Sequence, residues 1–184
     1  MDNKIIHTII TKSGKTVSFR YPTIDDAEIL KDYINKLSAE KSFIIFQGEQ
    51  QTLEEETKWL KEKLELIAKN KCVFIMAFID DKLIASSEIT LKNLVKKHIG
   101  SFGITVEKDY RSEGVGKILM ELVISESIKN IKDLKIIELE VFANNQIAQD
   151  LYKKMGFIEF GRLPEGIRHK ENFVDAILMY KKIK

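Results

Sequence analysis

Apolar positions along the chain recur with two alternating periods. Ile5 to Thr11 and Thr16 to Phe19 are rich in β-formers and flank Lys12-Ser13-Gly14-Lys15, a turn signal, so a hairpin is predicted. From Thr23 the period changes to 3.6, with Ile24, Ala27, Ile29, Leu30, Tyr33, Ile34 and Leu37 on one stripe. Thr23 with Asp26, three residues on, has the form of a capping box. A second helix is predicted from Thr52, with Glu55 as box partner and Leu53, Trp59, Leu60, Leu64 and Ile67 as its apolar face. Its acidic start, and Lys69 and Lys71 near its end, suit the helix dipole. Three strands follow: Cys72 to Ile79 and Leu83 to Leu91, joined by the turn Asp80-Asp81-Lys82, and then His98 to Val106. Next come a helix from Gly114 to Lys129, a strand from Ile136 to Phe142 and a short helix over about Asn145 to Met155. Phe157 to Arg162 and Phe173 to Tyr180 read as closing strands, and Arg168 and His169 between them read as a solvated loop, with a place lining an acceptor pocket as the alternative. This order predicts one α/β (α+β) domain over residues 1–184: a mixed, mostly antiparallel sheet of about seven strands with helices on both faces.

Composition narrows the function classes. With 184 residues and a hydrophobic fraction of 44%, one domain can bury a core and disorder is not expected. Thirty basic residues stand against 28 acidic ones, and a net charge of +2 spread along the chain gives no nucleic-acid footprint. Lys92, Lys96 and Lys97 are read as a solvated turn. The single cysteine, Cys72, lies in an apolar run and is expected to be a buried structural thiol. His7, His98 and His169 have no metal-ligand spacing, so no metal is expected. No signal-peptide core and no apolar run of about 18 residues is evident, and the expectation is a cytoplasmic protein away from membranes. Periodicity leaves room for a homodimer without indicating one.

The candidate chemistry begins at the end of the third of those strands. Val106 closes an apolar strand, a polar turn follows, and Gly114 and Gly116 open an amphipathic helix. First-turn amides lack intrahelical partners, glycines remove the Cβ atoms that would hold a phosphate away, and the dipole adds about half a positive charge. The segment Arg111-Ser112-Glu113-Gly114-Val115-Gly116 therefore has the form of an anion site, with Arg111 and Lys117 adding charge at its rim. It is not a P-loop, because Ile118 follows Gly116-Lys117 where a hydroxyl is required. Nor is it a dinucleotide fingerprint, because Leu119 stands where a third glycine or alanine belongs.

The pattern that fits is Arg/Gln-x-x-Gly-x-Gly/Ala, and here the chain resembles the GNAT superfamily of N-acetyltransferases. A second stretch, Asn145-x-x-Ala148-x-x-Leu151-Tyr152-x-Lys154-x-Gly156-Phe157, resembles that superfamily independently. The resemblance covers roughly residues 72–180 and is closest to the branch that acetylates ribosomal-protein alanines and amino acids. It implies acetyl-CoA as co-substrate and no metal. The pyrophosphate would lie on the amides of Ser112, Gly114, Val115, Gly116 and Lys117, beside Arg111. Ile104 and Val106 would bond the pantetheine arm through their backbones, and Asn145 would contact that arm near the thioester.

The implied reaction is direct transfer of an acetyl group to a primary amine. A free alkyl amine is mostly protonated at pH 7, so a carboxylate or water chain must take its proton. Amides near Val106 are candidates to stabilise the oxyanion. The resemblance makes Tyr152 the acid that meets the leaving thiolate. Its ordinary pKa of about 10 against a thiol's roughly 8.5 makes full transfer uphill by about 2 kcal/mol, so it serves best as a hydrogen-bond donor. Glu140, five residues before Asn145, is the implied base, and Glu88, inside an otherwise apolar strand, is a second candidate. The acceptor is a small-molecule amine, an amino acid or a polypeptide N-terminus. Two alternatives stay open: a catalytically idle acyl-CoA sensor and a nucleotide-binding module.

Overall fold

The computed structural model describes residues 4–183. Among these, the elements run β1 (Ile5–Ile10), β2 (Thr16–Arg20), α1 (Ala27–Ala39), α2 (Leu53–Ala68), β3 (Cys72–Ile79), β4 (Lys82–Leu91), β5 (Ile99–Val106), α3 (Val115–Asn130), β6 (Ile136–Phe142), α4 (Gln146–Lys154), β7 (Ile158–His169) and β8 (Asn172–Lys182). The sheet has eight strands, against the expected seven or so, in the order β1-β2-β3-β4-β5-β6-β8-β7. Every neighbouring pair is antiparallel except β5 with β6.

The helices cover both faces, as the alternation of apolar blocks requires. On one face α1 and α2 bury Leu30, Leu37 and Leu60 against Phe74, Met76 and Phe78. On the other, α3 and α4 bury Leu119, Met120, Val123 and Tyr152 against Ile75, Ile84, Ile89, Phe102 and Val141. Burying each of these large apolar side chains contributes about 1.5–3 kcal/mol. β3 is buried along nearly its whole length because it meets helices on both sides, which explains why it reads as a continuous apolar run.

Local signals act where the sequence puts them. Thr52 Oγ1 accepts from Glu55 N at 3.2 Å while the Glu55 carboxylate accepts from Thr52 N at 2.8 Å, which starts α2. At Thr23 the chain first makes a short 3₁₀ turn, Ile24–Asp26, and only then α1. The C-terminus of α4 closes with Gly156 at φ +83°. Gly156 N donates to Lys153 O at 3.0 Å and Phe157 N to Tyr152 O at 3.0 Å. That double closure returns Phe157 to the core. Cys72 is buried as expected, and burial with the nearby Glu88 charge pushes its thiol up to about 11.

The closing hairpin differs from expectation. β7 and β8 extend well beyond the predicted strands, and Arg168 and His169 lie on β7 instead of in a loop. Pro164 and Gly166 sit in a register shift between Leu163 and Ile167. β7 is an edge strand, so a proline there breaks no ladder on its free side. Lys96 and Lys97 close the exposed 3₁₀ turn Leu94–Lys96 as expected, whereas Lys92 precedes that turn and is paired with Glu138 instead of solvated.

Candidate active site

β5 and β6 pair over only three positions, Ile99 with Ile136, Gly100 with Ile137 and Ser101 with Glu138. Beyond Ser101 the two strands part while β5 stays paired with β4 as far as Val106. The edge of β5 that faces β6 is thereby left without a strand partner over Phe102–Val106. A cavity of about 960 Å³ occupies this region, walled by β4, β5 and β6 and covered by α1, α2 and the connection between them. Ile104, Tyr152, Asn145, Glu140 and Glu88, all singled out from sequence, share its wall.

The glycine loop lies at the far end of β5. Gly114 has φ +90° and is the N-cap residue of α3. A Cβ there would meet nothing within 4 Å, and one on Gly116 would come within 3.4 Å of Val106 Cγ2. Ile118 N takes up the Gly114 carbonyl at 3.3 Å. The amides of Val115, Gly116 and Lys117 precede that first helical bond and are the free first-turn donors. The β1–β2 turn buttresses the loop, with Lys12 Nζ donating to Ser112 O at 3.1 Å and Ser13 N to Glu113 Oε2 at 3.0 Å. Arg111 is more occupied than a rim cation: Nε donates to Val106 O at 2.9 Å and Nη2 to Glu40 Oε2 at 2.7 Å. It ties the loop to the end of β5 and the end of α1. Lys117 points along its own helix toward Glu121, 3.7 Å away.

Tyr152 is buried, and burial pushes its phenol up to about 12. At that value full proton transfer to a thiolate is uphill by on the order of 5 kcal/mol, which strengthens the reading of Tyr152 as a hydrogen-bond donor. Asn145 caps α4, its Oδ1 accepting from Ala148 N at 3.2 Å. Three carboxylates of the sheet reach the cavity with different partners. Glu88 is bound by Lys63 at 2.5 Å, and Glu138 by Lys92. Glu140 is exposed and forms no ion pair among the described residues.

Sequence reasoning missed three polar groups. Tyr33 belongs to the apolar stripe of α1, yet its hydroxyl bonds Thr105 Oγ1 at 2.8 Å, and Thr105 Oγ1 bonds Ser86 Oγ at 3.0 Å. Burial pushes the Tyr33 phenol well above the usual tyrosine range, so this hydroxyl chain on the cavity wall stays neutral. Glu107, directly after β5, is buried and bound by Lys36 and by Lys82 at 2.9 Å. His169 is buried between Phe43 and Phe142, with Nδ1 at 3.1 Å from Asn144 Nδ2 and Nε2 at 3.3 Å from Lys41 O. It fastens the β7–β8 hairpin to the α1–α2 connection. No spacing rule announces any of these contacts, because each joins distant segments.

Among the described residues no group of three or more His, Cys, Asp or Glu is arranged to hold a metal ion, and no helix is long and apolar enough to cross a membrane.

Known proteins of similar sequence and structure fit this geometry. The L-amino acid N-acetyltransferase AaaT of Escherichia coli (strain K12) is 34% identical over 107 residues, 57% of this chain and 65% of that protein. The chain thus spans under two thirds of that curated relative. A crystal structure of an acetyltransferase of the GNAT family from Streptococcus pneumoniae superposes with a TM-score of 0.83 at 29% identity, covering 91% of this chain and 99% of that one. RimL, a ribosomal alpha-N-protein acetyltransferase solved in complex with coenzyme A, superposes with a TM-score of 0.79 at 12% identity over 98% of each chain, which shows a shared fold. The profile of the Acetyltransferase (GNAT) family matches residues 33–157, from the middle of α1 through the cavity strands and the glycine loop to the end of the α4 motif, and the chain belongs to that family.

Proposed function

We propose that the protein is a cytoplasmic N-acetyltransferase that moves an acetyl group from acetyl-CoA to a primary amine by direct transfer. The acceptor is an amino acid, a small amine or a polypeptide N-terminus. The observation that carries this reading is the convergence of Tyr152, Asn145 and Glu140 on one cavity with the strand-free edge of β5.

The residues present fit the co-substrate. Gly114 leaves open space at a helix start whose first amides are free, which suits a pyrophosphate. The backbone of Ile104 and Val106, without a partner strand on the β6 side, suits the amide-bearing pantetheine arm. The coenzyme A complex of RimL, which has the same fold, supports this assignment. Acetyl-CoA supplies an activated acetyl thioester. Glu140 takes the proton from the acceptor nitrogen, directly or through water. Amides near Val106 meet the charge that develops on the carbonyl oxygen. Tyr152 donates a hydrogen bond to the departing sulfur, and Asn145 orients the arm.

The test is thiol release from acetyl-CoA with a panel of amines, amino acids and N-terminal peptides. Amine-dependent release supports transfer. Tight acetyl-CoA binding without release above background for any acceptor favours an idle acyl-CoA sensor instead. Preference for NAD or ATP over CoA favours a nucleotide-binding module.

A further inference from the structure

α2 opens with three consecutive acids, and they face different ways. Glu54 and Glu55 are exposed, Glu55 serving the capping box, whereas Glu56 is 7% exposed and lines the cavity. One turn further along the same inward face stands Trp59, edge-on to Phe74 of β3 with ring centroids 5.6 Å apart. Phe43 and Phe46, from the α1–α2 connection, add aromatic wall to the same cavity.

The charges on this wall divide unevenly. Glu88 has Lys63, and Glu138 has Lys92. Glu56 and Glu140 have no ion pair among the described residues, and Glu56 accepts no side-chain hydrogen bond there either. The remaining lysine of the wall, Lys96, is exposed on the 3₁₀ turn Leu94–Lys96. A largely buried carboxylate without a partner is costly, and a bound cation relieves that cost. Its place in the first turn of α2, at the positive end of the helix dipole, makes the unpaired state tolerable. Burial raises the Glu56 carboxyl above its ordinary range, in keeping with this environment.

Glu56 is also badly placed to share one nitrogen with Glu140. α2 packs on β3, while Glu140 stands on β6 beyond the point where β5 and β6 part, so in the order β3-β4-β5-β6 the two strands there are more than three paired spacings, ~14 Å, apart. We propose that Glu56 is the acceptor-recognition residue and holds a second, non-reacting cationic nitrogen, so that the acceptor is a primary amine with a second amine: a diamine or a dibasic amino acid. This rests on the transfer reading above. The aromatic side chains line the aliphatic spacer between the two nitrogens and add cation–π attraction for the charged end.

The experiment is calorimetric titration of the full chain loaded with CoA, alongside steady-state transfer from acetyl-CoA. The paired probes are 1,5-diaminopentane against pentylamine and lysine against norleucine. The expected result is that at least one dibasic probe binds about tenfold or more tighter than its monobasic counterpart, with a matching difference in KM. The pair that shows it distinguishes a diamine site from an amino-acid site. Glu56→Gln abolishes that preference and leaves the monobasic probe within about twofold, while Glu56→Asp, which keeps the charge, retains part of it. Equal binding of dibasic and monobasic probes by the unmodified protein overturns the proposal, as does a preference that survives in Glu56→Gln. The comparison in the unmodified protein does not depend on either variant folding. If CoA and a dibasic amine both bind and no acetyl moves, the transfer reading fails while the recognition site stands.

Discussion

Tyr152 stands edge-on to Phe102, the ring centroids 5.9 Å apart and the planes at 85°. This contact fixes a phenol whose ring belongs to the core and which also lines the cavity. Replacing Tyr152 by Phe keeps the ring and removes only the donor. We expect Tyr152→Phe to lower kcat by about 10²-fold, with acetyl-CoA binding within about twofold. Because burial pushes the phenol up to about 12, it keeps its proton across the ordinary assay range. The rate profile of the unmodified protein should therefore show no descending limb below about pH 10 from this group. Steady-state kinetics over pH, with calorimetry for the co-substrate, measure both.

Glu140 and Glu88 separate by their partners. Lys63 holds Glu88, whereas Glu140 is exposed, lines the cavity and has no cation partner among the described residues. Glu140→Gln should reduce turnover by about 10²-fold with acetyl-CoA affinity preserved. Glu88→Gln should leave turnover within a few-fold and instead cost about 1–2 kcal/mol of stability by unpairing Lys63. Unchanged turnover in Glu140→Gln would remove it as the base.

The parts of this molecule that the sequence discloses are those written in local patterns. The Thr52–Glu55 box, the left-handed Gly156 and the glycine start of α3 each need only a few neighbouring residues, and all three form where the spacing says. The parts it conceals are contacts between distant segments. Tyr33 meets Thr105 across 72 positions, and Lys36 meets Glu107 across 71. In sequence Tyr33 is one more apolar point on a helical stripe, and Glu56 is one more acid in a favourable first turn. The edge-strand setting that tolerates Pro164 is likewise a property of the assembled sheet, so Arg168 and His169 read as loop. Arg111 lies between these cases: its place beside the glycine loop is in the motif, while its bond to Glu40 depends on where α1 ends.

Gly114 tests the loop geometry. Its φ of +90° is a left-handed conformation that a Cβ disfavours, although the space around it is open. Gly114→Ala should cost about 1–2 kcal/mol of stability from backbone strain alone. It should also weaken acetyl-CoA binding, because the new methyl group occupies the space over the helix start. Chemical denaturation and calorimetry separate the two effects. Wild-type affinity for acetyl-CoA in this variant would count against the pyrophosphate assignment.

The Arg20–Asp26 pair governs how the fold responds to acid. Arg20 Nη1 and Nη2 donate to Asp26 Oδ2 at 2.8 Å and Oδ1 at 2.6 Å, and Thr23 N adds a third bond at 2.6 Å, all at the entry to α1. Burial pushes the Asp26 carboxyl up, but the Arg20 and Thr23 contacts together outweigh it and hold it below its ordinary 3.8. A carboxyl depressed by folding contributes stability that is present in full above its unfolded value and is lost as pH falls through the lower folded value. Asp26→Asn, which leaves the Arg20 guanidinium with a neutral partner in a largely buried site, should cost about 2–4 kcal/mol at pH 7. Urea denaturation of both proteins should show that gap narrowing once the pH drops below about 3.8, as the unmodified protein loses the same ion pair by protonation. A gap that stays constant from neutral to strongly acid conditions would mean that the pair contributes through shape and hydrogen bonding, with no share from the charge of Asp26.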